Sequence, residues 1–330
     1  MQGSKQDMVK PAKGASLGQW LIRFRTIIIL IVVMLVFTLL KDIFIHPTNL
    51  LNMLKRMSPV FITGFGMTFI IVLAGLDLSV GSIAAVVGVG FALLVRGKDG
   101  MDTVPALLIV LVAALVMGLL NGLISVKGKI EPFLVTLATM NIYRGLALVL
   151  TGGKPVPIVV EGFGDAFANG KVFGLIPTPV IITLVLFVLT WFLYKKTKFG
   201  FYVRCIGGNI EAARVAGINV DFIKMSAYVL NAFYAFAAAL ILAALMNAGL
   251  SDIASDLALD AITGVILGGT AIAGGYGTIF GTLGGCLIMA SLNSGMSLLG
   301  AQTSDQIIVK GIIIILAVLM DNALKSRTRQ

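Results

Sequence analysis

Residues 57–95, MSPVFITGFGMTFIIVLAGLDLSVGSIAAVVGVGFALLV, carry one charge, Asp77, between two apolar runs. Each run, Met57–Leu76 and Leu78–Val95, approaches the about 20 residues that an α-helix needs to cross a bilayer. A carboxylate between them interrupts the pair, so the backbone break at Asp77 lies within or just below the membrane. Two membrane helices therefore meet at a polar break.

Outward from this stretch the pattern recurs. Thr103–Val126, Val172–Tyr194 and Met225–Ser251 are free of charge, and Ala261–Ser304 is long enough for two crossings. The chain is 58% apolar and 12% charged, against about 25% charged in soluble domains; its mean hydropathy is +1.03. An all-α polytopic membrane protein of about ten transmembrane helices is expected. The first helix should run from Thr26 to Ile45, stopped by His46-Pro47, with Thr48–Arg56 in the interface and a second crossing over Ser58–Gly75. The expected organisation is a polar segment at 1–25, one transmembrane domain at 26–322 that includes a polar loop at 195–224, and a tail at 323–330.

A net charge of +10 raises the question of nucleic acid, and the placement of the charges answers it. Basic residues cluster before the first helix (Arg23, Arg25), at Lys127 and Lys129, in the 195–224 loop (Lys195, Lys196, Lys198, Arg204, Arg214, Lys224) and at the end (Lys325, Arg327, Arg329). All four groups fall on one side of a chain that crosses ten times, which makes that side cytoplasmic by the positive-inside rule and both termini cytoplasmic. The charge is a topology signal, and no nucleic-acid partner is expected. Cys205 and Cys286 lie in different surroundings and form no disulfide framework.

Within the basic loop stands Gly207-Gly208-Asn209-Ile210-Glu211-Ala212-Ala213-Arg214-Val215-Ala216-Gly217. Asn209 is placed to N-cap a short helix, Glu211 suits its first turn, and Gly217 suits the left-handed residue after its end. Glu-Ala-Ala, three residues, Gly resembles the coupling motif of importer permeases of the ATP-binding-cassette class. Gly75-Leu76-Asp77-Leu78-Ser79, Leu259-Asp260-Ala261-Ile262, Leu267-Gly268-Gly269-Thr270, Leu292-Asn293-Ser294-Gly295 and Gln306–Lys310 are similar to the ribose-type monosaccharide permeases. The likeness spans about Asn49 to Asn322. It implies a multi-pass subunit of the bacterial inner (plasma) membrane that imports a monosaccharide, ribose first. Galactose, xylose, autoinducer-2 and nucleoside importers share the scaffold.

The resemblance further implies a cytoplasmic ATPase docked on Gly207, Gly208, Asn209, Glu211, Ala212, Ala213, Arg214 and Gly217, with ATP and magnesium on that partner and no cofactor on this chain. It implies a soluble extracytoplasmic sugar-binding protein and a second permease copy in a homodimer, all in membrane lipid. The loop Gly249–Asp256 is short for such a permease.

No catalytic constellation and no metal set stands out, and His46 is the only histidine. Gly-Lys pairs at 97–98, 128–129, 153–154 and 170–171 are followed by Asp, Ile, Pro and Val, so no phosphate-binding loop is present. Polar residues in or beside the spans form the candidate substrate path: Asp77, Asn121, Asn141, Arg144, Asp260 and Asn293. Capping and pairing between helices compete with that role. Leu76-Asp77 answers Leu259-Asp260, and Leu120-Asn121 answers Leu292-Asn293, a pattern of inverted internal repeat. Gly264 and Gly268, and Gly277, Gly281 and Gly285, recur every four residues and suit close helix packing. The rival reading is an ion-driven secondary transporter that uses Asp77, Asp260 and Arg144 as a relay.

Charge placement yields a direct test of topology. In a Cys205→Ser, Cys286→Ser background, a cysteine at Asp165 should react with an impermeant maleimide from outside the cell, and one at Arg214 from the cytoplasm only. Reaction at position 165 from the cytoplasm alone would overturn the register of crossings.

Overall fold

Twelve α-helices make up nearly all the regular structure of the computed structural model, which describes residues 17–97 and 100–328. They are α1 Leu17–Leu40, α2 Pro47–Val72, α3 Val80–Leu94, α4 Thr103–Lys127, α5 Pro132–Thr151 and α6 Thr178–Lys196, followed by α7 Lys198–Gly208, α8 Ile210–Val215, α9 Val220–Met246, α10 Leu257–Leu267, α11 Ile279–Leu298 and α12 Thr303–Thr328. By length and composition α4, α5, α6, α9 and α11 can each cross a membrane, and Phe24–Leu40, α3 and α10 are shorter apolar helices. Two ribbons, Val156–Pro157 with Ala248–Gly249 and Lys171–Val172 with Ile176–Pro177, are the only sheet among the described residues. The protein is an all-α polytopic membrane protein. In lipid the helix is the form that satisfies its own backbone, which is why so little else occurs.

Helix α2 is the axis of the bundle. Every residue from Ser58 to Val72 is buried, and α6, α9, α10 and α11 pack around it. The sequence suggested an interfacial segment followed by a separate span; the structure makes one helix of both. Pro47 starts it, where a missing N–H costs nothing. Pro59 lies inside it, and the Ser58 and Thr63 hydroxyls donate to the carbonyls of Leu54 and Pro59, each at 2.8 Å.

Three other boundaries differ from expectation. Helix α1 begins at Leu17, inside the segment assigned to 1–25, and stops at Leu40, after which Asp42–Ile45 forms a 3₁₀ turn. Phe44 of that turn is buried and lies 5.5 Å from the Phe37 ring, which fixes the turn against α1. The 195–224 loop holds two helices, α7 and α8. Helix α12 continues through the tail to Thr328, while residues 1–16 and 329–330 lie outside the described residues.

Helices α10 and α11 meet along glycines. A methyl at Gly281 would overlap the Gly268 carbonyl, one at Gly285 would overlap the Gly264 carbonyl, and one at Gly264 would lie 2.6 Å from Cys286 Sγ. Gly277 is outside this seam. Helix α11 starts at Ile279 with Thr278 as its cap, so the four-residue spacing at Gly277 is no helical face. Gly277 sits in the preceding turn, where a methyl would meet Thr270 and Val72 at 2.8 Å.

Backbone stands against backbone along the seam, with no flexible side chain to move aside. Gly281→Ala and Gly285→Ala should each therefore destabilise the protein by about 1–3 kcal/mol, the range of overpacking, and Gly281→Leu should do worse. Gly145→Ala on α5, where the added methyl meets nothing within 4 Å, is the control and should be neutral or better. Thermal unfolding of purified protein in detergent checks the series. A Gly281→Ala melting point equal to wild type would refute the seam.

Candidate functional site

The break between α2 and α3 carries the most polar point of the interior. Asp77 is 1% exposed there. Its Oδ1 accepts from the Ser79 N–H at 2.9 Å and the Ser79 hydroxyl at 2.6 Å, and its Oδ2 accepts from Asn231 Nδ2 at 2.9 Å. Asn121 Nδ2 donates to Ser79 Oγ at 2.7 Å, and the Tyr143 hydroxyl donates to Asn121 Oδ1 at 3.2 Å. The Thr136 hydroxyl reaches the Leu76 carbonyl at 3.2 Å. One chain of bonds thus ties the break to α4, α5 and α9. Beside it, Gly66 leaves room for Asn231, since a methyl there would overlap its Oδ1.

Sequence reasoning placed six residues on a substrate path, and the structure separates them. Asp77 and Asn121 belong to the buried knot, with their hydrogen-bonding capacity taken up by protein. Arg144 donates to the carbonyls of Ser251 and Ile253, the second at 2.9 Å, and so holds the loop before α10. Asn141 is exposed on α5 and donates back to Leu137 at 3.0 Å. Asp260 Oδ2 accepts from Lys310 Nζ at 3.0 Å, which joins α10 to α12. Asp77, Asp260 and Arg144 each have partners of their own, and the relay of the rival reading does not form.

Asn293 lines a cleft. The cleft, of about 430 Å³, lies between the start of α2, the end of α11 and the start of α12. Asn49, Asn52, Arg56, Ser294, Gln306 and Lys310 share its wall with Met57 and Leu298. Asn293 Oδ1 is buried without a hydrogen-bond partner, and its Nδ2 finds only the Met57 sulfur at 3.6 Å. Asn49 and Asn52 were missed as site residues because Thr48–Arg56 reads as interfacial. Their polar face becomes an inner wall only because α2 is continuous.

The opposite end of the bundle presents α8. Asn209 caps it by accepting from the Ala212 N–H at 2.9 Å. Ile218 N–H donates to the Ala213 carbonyl and Gly217 N–H to the Arg214 carbonyl, both at 3.0 Å, with Gly217 at φ +78°. That pair of bonds is the left-handed helix stop. Glu211 pairs with Arg214 at 2.8 Å, Ala213 is buried, and Val215 is 90% exposed. Gly207 lies against the Val72 carbonyl and Gly275, and Gly208 against Gly275, so α7 seats on the end of α2 and on the α10–α11 turn. The eight residues from Gly207 to Gly217 singled out in the sequence form one exposed knob on a rigid base. Among the described residues no cluster of His, Cys, Asp and Glu has the makings of a metal site.

The family model described as branched-chain amino acid transport system / permease component matches residues 49–318. The chain is 40% identical to the ribose import permease protein of Bacillus subtilis (strain 168), over 88% of this chain and 90% of that one. It is 36% identical to the ribose import permease protein of Haemophilus influenzae, over 94% and 96%. It is 31% identical to the xylose transport system permease protein of Escherichia coli (strain K12), over 92% and 93%. No solved structure matches the chain.

The knot gives a graded test. In Asp77→Leu the Ser79 N–H, the Ser79 hydroxyl and the Asn231 amide lose their acceptor, at about 1–3 kcal/mol for each buried donor left unmade. Asp77→Asn keeps one acceptor oxygen, and a flip of Asn231 brings its unpartnered Oδ1 to face the new amide. Asp77→Asn should therefore retain most of the stability that Asp77→Leu loses. Melting points of the two variants in detergent check this; equal losses would show that the bonds around Asp77 contribute nothing.

Proposed function

The chain belongs to the permease family described as branched-chain amino acid transport system / permease component, and on that premise we propose that it is the membrane-spanning subunit of an ATP-driven importer of a monosaccharide, ribose in the first place. Likeness to ribose import permeases along nearly the whole chain carries this reading. The identity is lower, 31%, to the xylose permease. The protein is a transporter subunit and not an enzyme. The work of ATP, with its magnesium, falls to a partner.

The basic residues put the α7–α8 end in the cytoplasm, together with both termini, in the inner membrane of a bacterium. Helix α8 then serves as the contact to a cytoplasmic ATPase. Its surface suits a shallow pocket: the Glu211–Arg214 pair cancels its own charge, and Ala212, Val215 and Ala216 offer a small apolar tip. At the other end, the 152–177 segment and the 247–256 loop face a soluble sugar-binding protein. A second copy of the chain and membrane lipid cover the apolar faces that α5 and α12 leave exposed, such as Ile142, Val149, Ile308, Ile312 and Ile315.

Combining Glu211→Arg with Gly217→Val should break this contact. Valine at φ +78° is strained, which undoes the helix stop, and the charge change leaves two arginines facing one another. Co-purification of the ATPase should fall about tenfold or more, equivalent to about 1.4 kcal/mol, and sugar-stimulated ATP hydrolysis should fall with it. Survival of both would show that α8 is not the docking element.

A further inference from the structure

We propose that the cleft between α2, α11 and α12 is a binding subsite for an uncharged monosaccharide, read through the amides of Asn49, Asn52, Asn293 and Gln306. The proposal deepens the importer reading above and rests on it for the choice of sugar. Its physical basis is separate and lies in the wall of the cleft.

A polar cleft in a membrane bundle needs a polar occupant. Lipid tails cannot satisfy amides, and a buried acceptor without a donor is costly. Asn293 Oδ1 is such an acceptor. Neighbouring amides are half engaged and keep an oxygen in reserve: Asn49 Nδ2 is held by the Phe44 carbonyl at 2.8 Å, and Gln306 Nε2 by Ser297 Oγ and the Ala301 carbonyl, each at 3.3 Å. Amides that line one space suit hydroxyl groups. The about 430 Å³ of the cleft falls within the about 300–1,000 Å³ typical of small-molecule sites.

Charge narrows the class. No carboxylate is among the residues that line the cleft; beside it, Asp260 is paired with Lys310 at 3.0 Å, and Asp305 caps the start of α12 by accepting from the Gln302 N–H at 2.9 Å. An amino acid would find no free counter-charge there for its ammonium group. Lys310 is neutralised by the same pair, and Arg56 is exposed at the rim, so no cation stands in the depth of the cleft to hold a phosphate or carboxylate. A neutral polyol fits, despite the amino-acid wording of the family description.

The internal repeat gives a second line of support. Counting crossings in each half, the third is a short helix (α3, α10) with Asp77 before it or Asp260 in its first turn. The fourth (α4, α11) carries Asn121 or Asn293, and the fifth (α5, α12) carries Tyr143 or Lys310. In the first half these positions close into one hydrogen-bonded knot, at the α8 side of the bundle. In the second half, at the opposite side, Asp260 and Lys310 pair while Asn293 stands apart, and the space between is the cleft. One side is shut by protein bonds where the other leaves its amide for a solute, an arrangement open to the outside.

The test uses the full chain in proteoliposomes, with its ATPase and sugar-binding protein present for the uptake measurements. Asn52, at the exposed lip of the cleft, is replaced by cysteine in a Cys205→Ser, Cys286→Ser background and labelled with an impermeant maleimide. D-ribose should slow labelling about threefold or more at saturation, whereas leucine and ribose 5-phosphate should not. Adding Asn293→Leu with Gln306→Leu should remove the protection and raise KM for ribose uptake roughly three- to tenfold; Val188→Ala, exposed on α6 and away from the cleft, should do neither. If none of ribose, xylose and galactose protects the thiol of the Asn52→Cys variant, or if leucine does, the subsite is refuted. Uptake separates the two ideas. Ribose import with unchanged KM in the double variant and no protection sinks the subsite and leaves the importer standing. Protection by another sugar, with no ribose import by wild type, sinks ribose and leaves the subsite standing.

Discussion

Hydrocarbon offers no hydrogen bonds, and this protein breaks its helices in two places within the bundle. Backbone groups freed at 73–79 and 268–278 and held away from water find partners in the protein itself. The first break is held by the Asp77 knot and by Thr136 on the Leu76 carbonyl. The second turns back on itself through Thr270 to Val265 and Ala271 to Tyr276, and Gly275 donates to the Val72 carbonyl at 2.9 Å. That last bond joins the two breaks. The last carbonyl of α2 is satisfied by the turn between α10 and α11.

Glycine is required where these backbones converge. Gly274 and Gly275 have φ near +85° and +80°, and a methyl at Gly207 would overlap the Val72 carbonyl. Three elements therefore touch without side chains between them: the end of α2, the α10–α11 turn, and the end of α7. Helix α8 begins just beyond, after its cap Asn209. A force applied to α8 has a short, side-chain-free route to both helix breaks. Close backbone contact transmits displacement because no rotamer change can absorb it. Helix α7 thus joins the knob to the point where the two halves of the bundle meet.

Much of this was legible in the sequence, and the failures share one cause. Apolar runs gave the crossings, because lipid tolerates little else. The cap at Asn209 and the stop at Gly217 were legible because helix ends are specified by adjacent residues. Spacing marked Gly264, Gly268, Gly281 and Gly285 as suited to close packing, but which of them meet is seen only in the structure. Gly277 misled because spacing says nothing about where a helix begins, and here Thr278 caps it. Helix α2 reads as divided because Lys55, Arg56 and Pro59 look like a boundary. Tertiary packing of Ser58–Val72 overrides them. What each amide meets depends on helices distant in the chain, such as Asn293 with the Met57 sulfur, and no local signal carries that.

The six polar residues named from the sequence also show why polarity inside a membrane is a weak guide to function. Asp77 is almost fully buried and the most costly to place, yet it accepts from Ser79 and Asn231. Removing water from such a group leaves a scaffold element. Arg144 is likewise occupied, as a clamp on two carbonyls. Asn293 is chemically milder than either, but its oxygen is left without a partner, and the residue lines a cleft. A transported solute must bind and then leave, so its site cannot be one that the protein has already satisfied. The distinction that matters is between hydrogen-bonding capacity closed within the fold and capacity left open to a space. By that distinction the scaffold of this permease lies around Asp77, and its contact with the solute lies around Asn293.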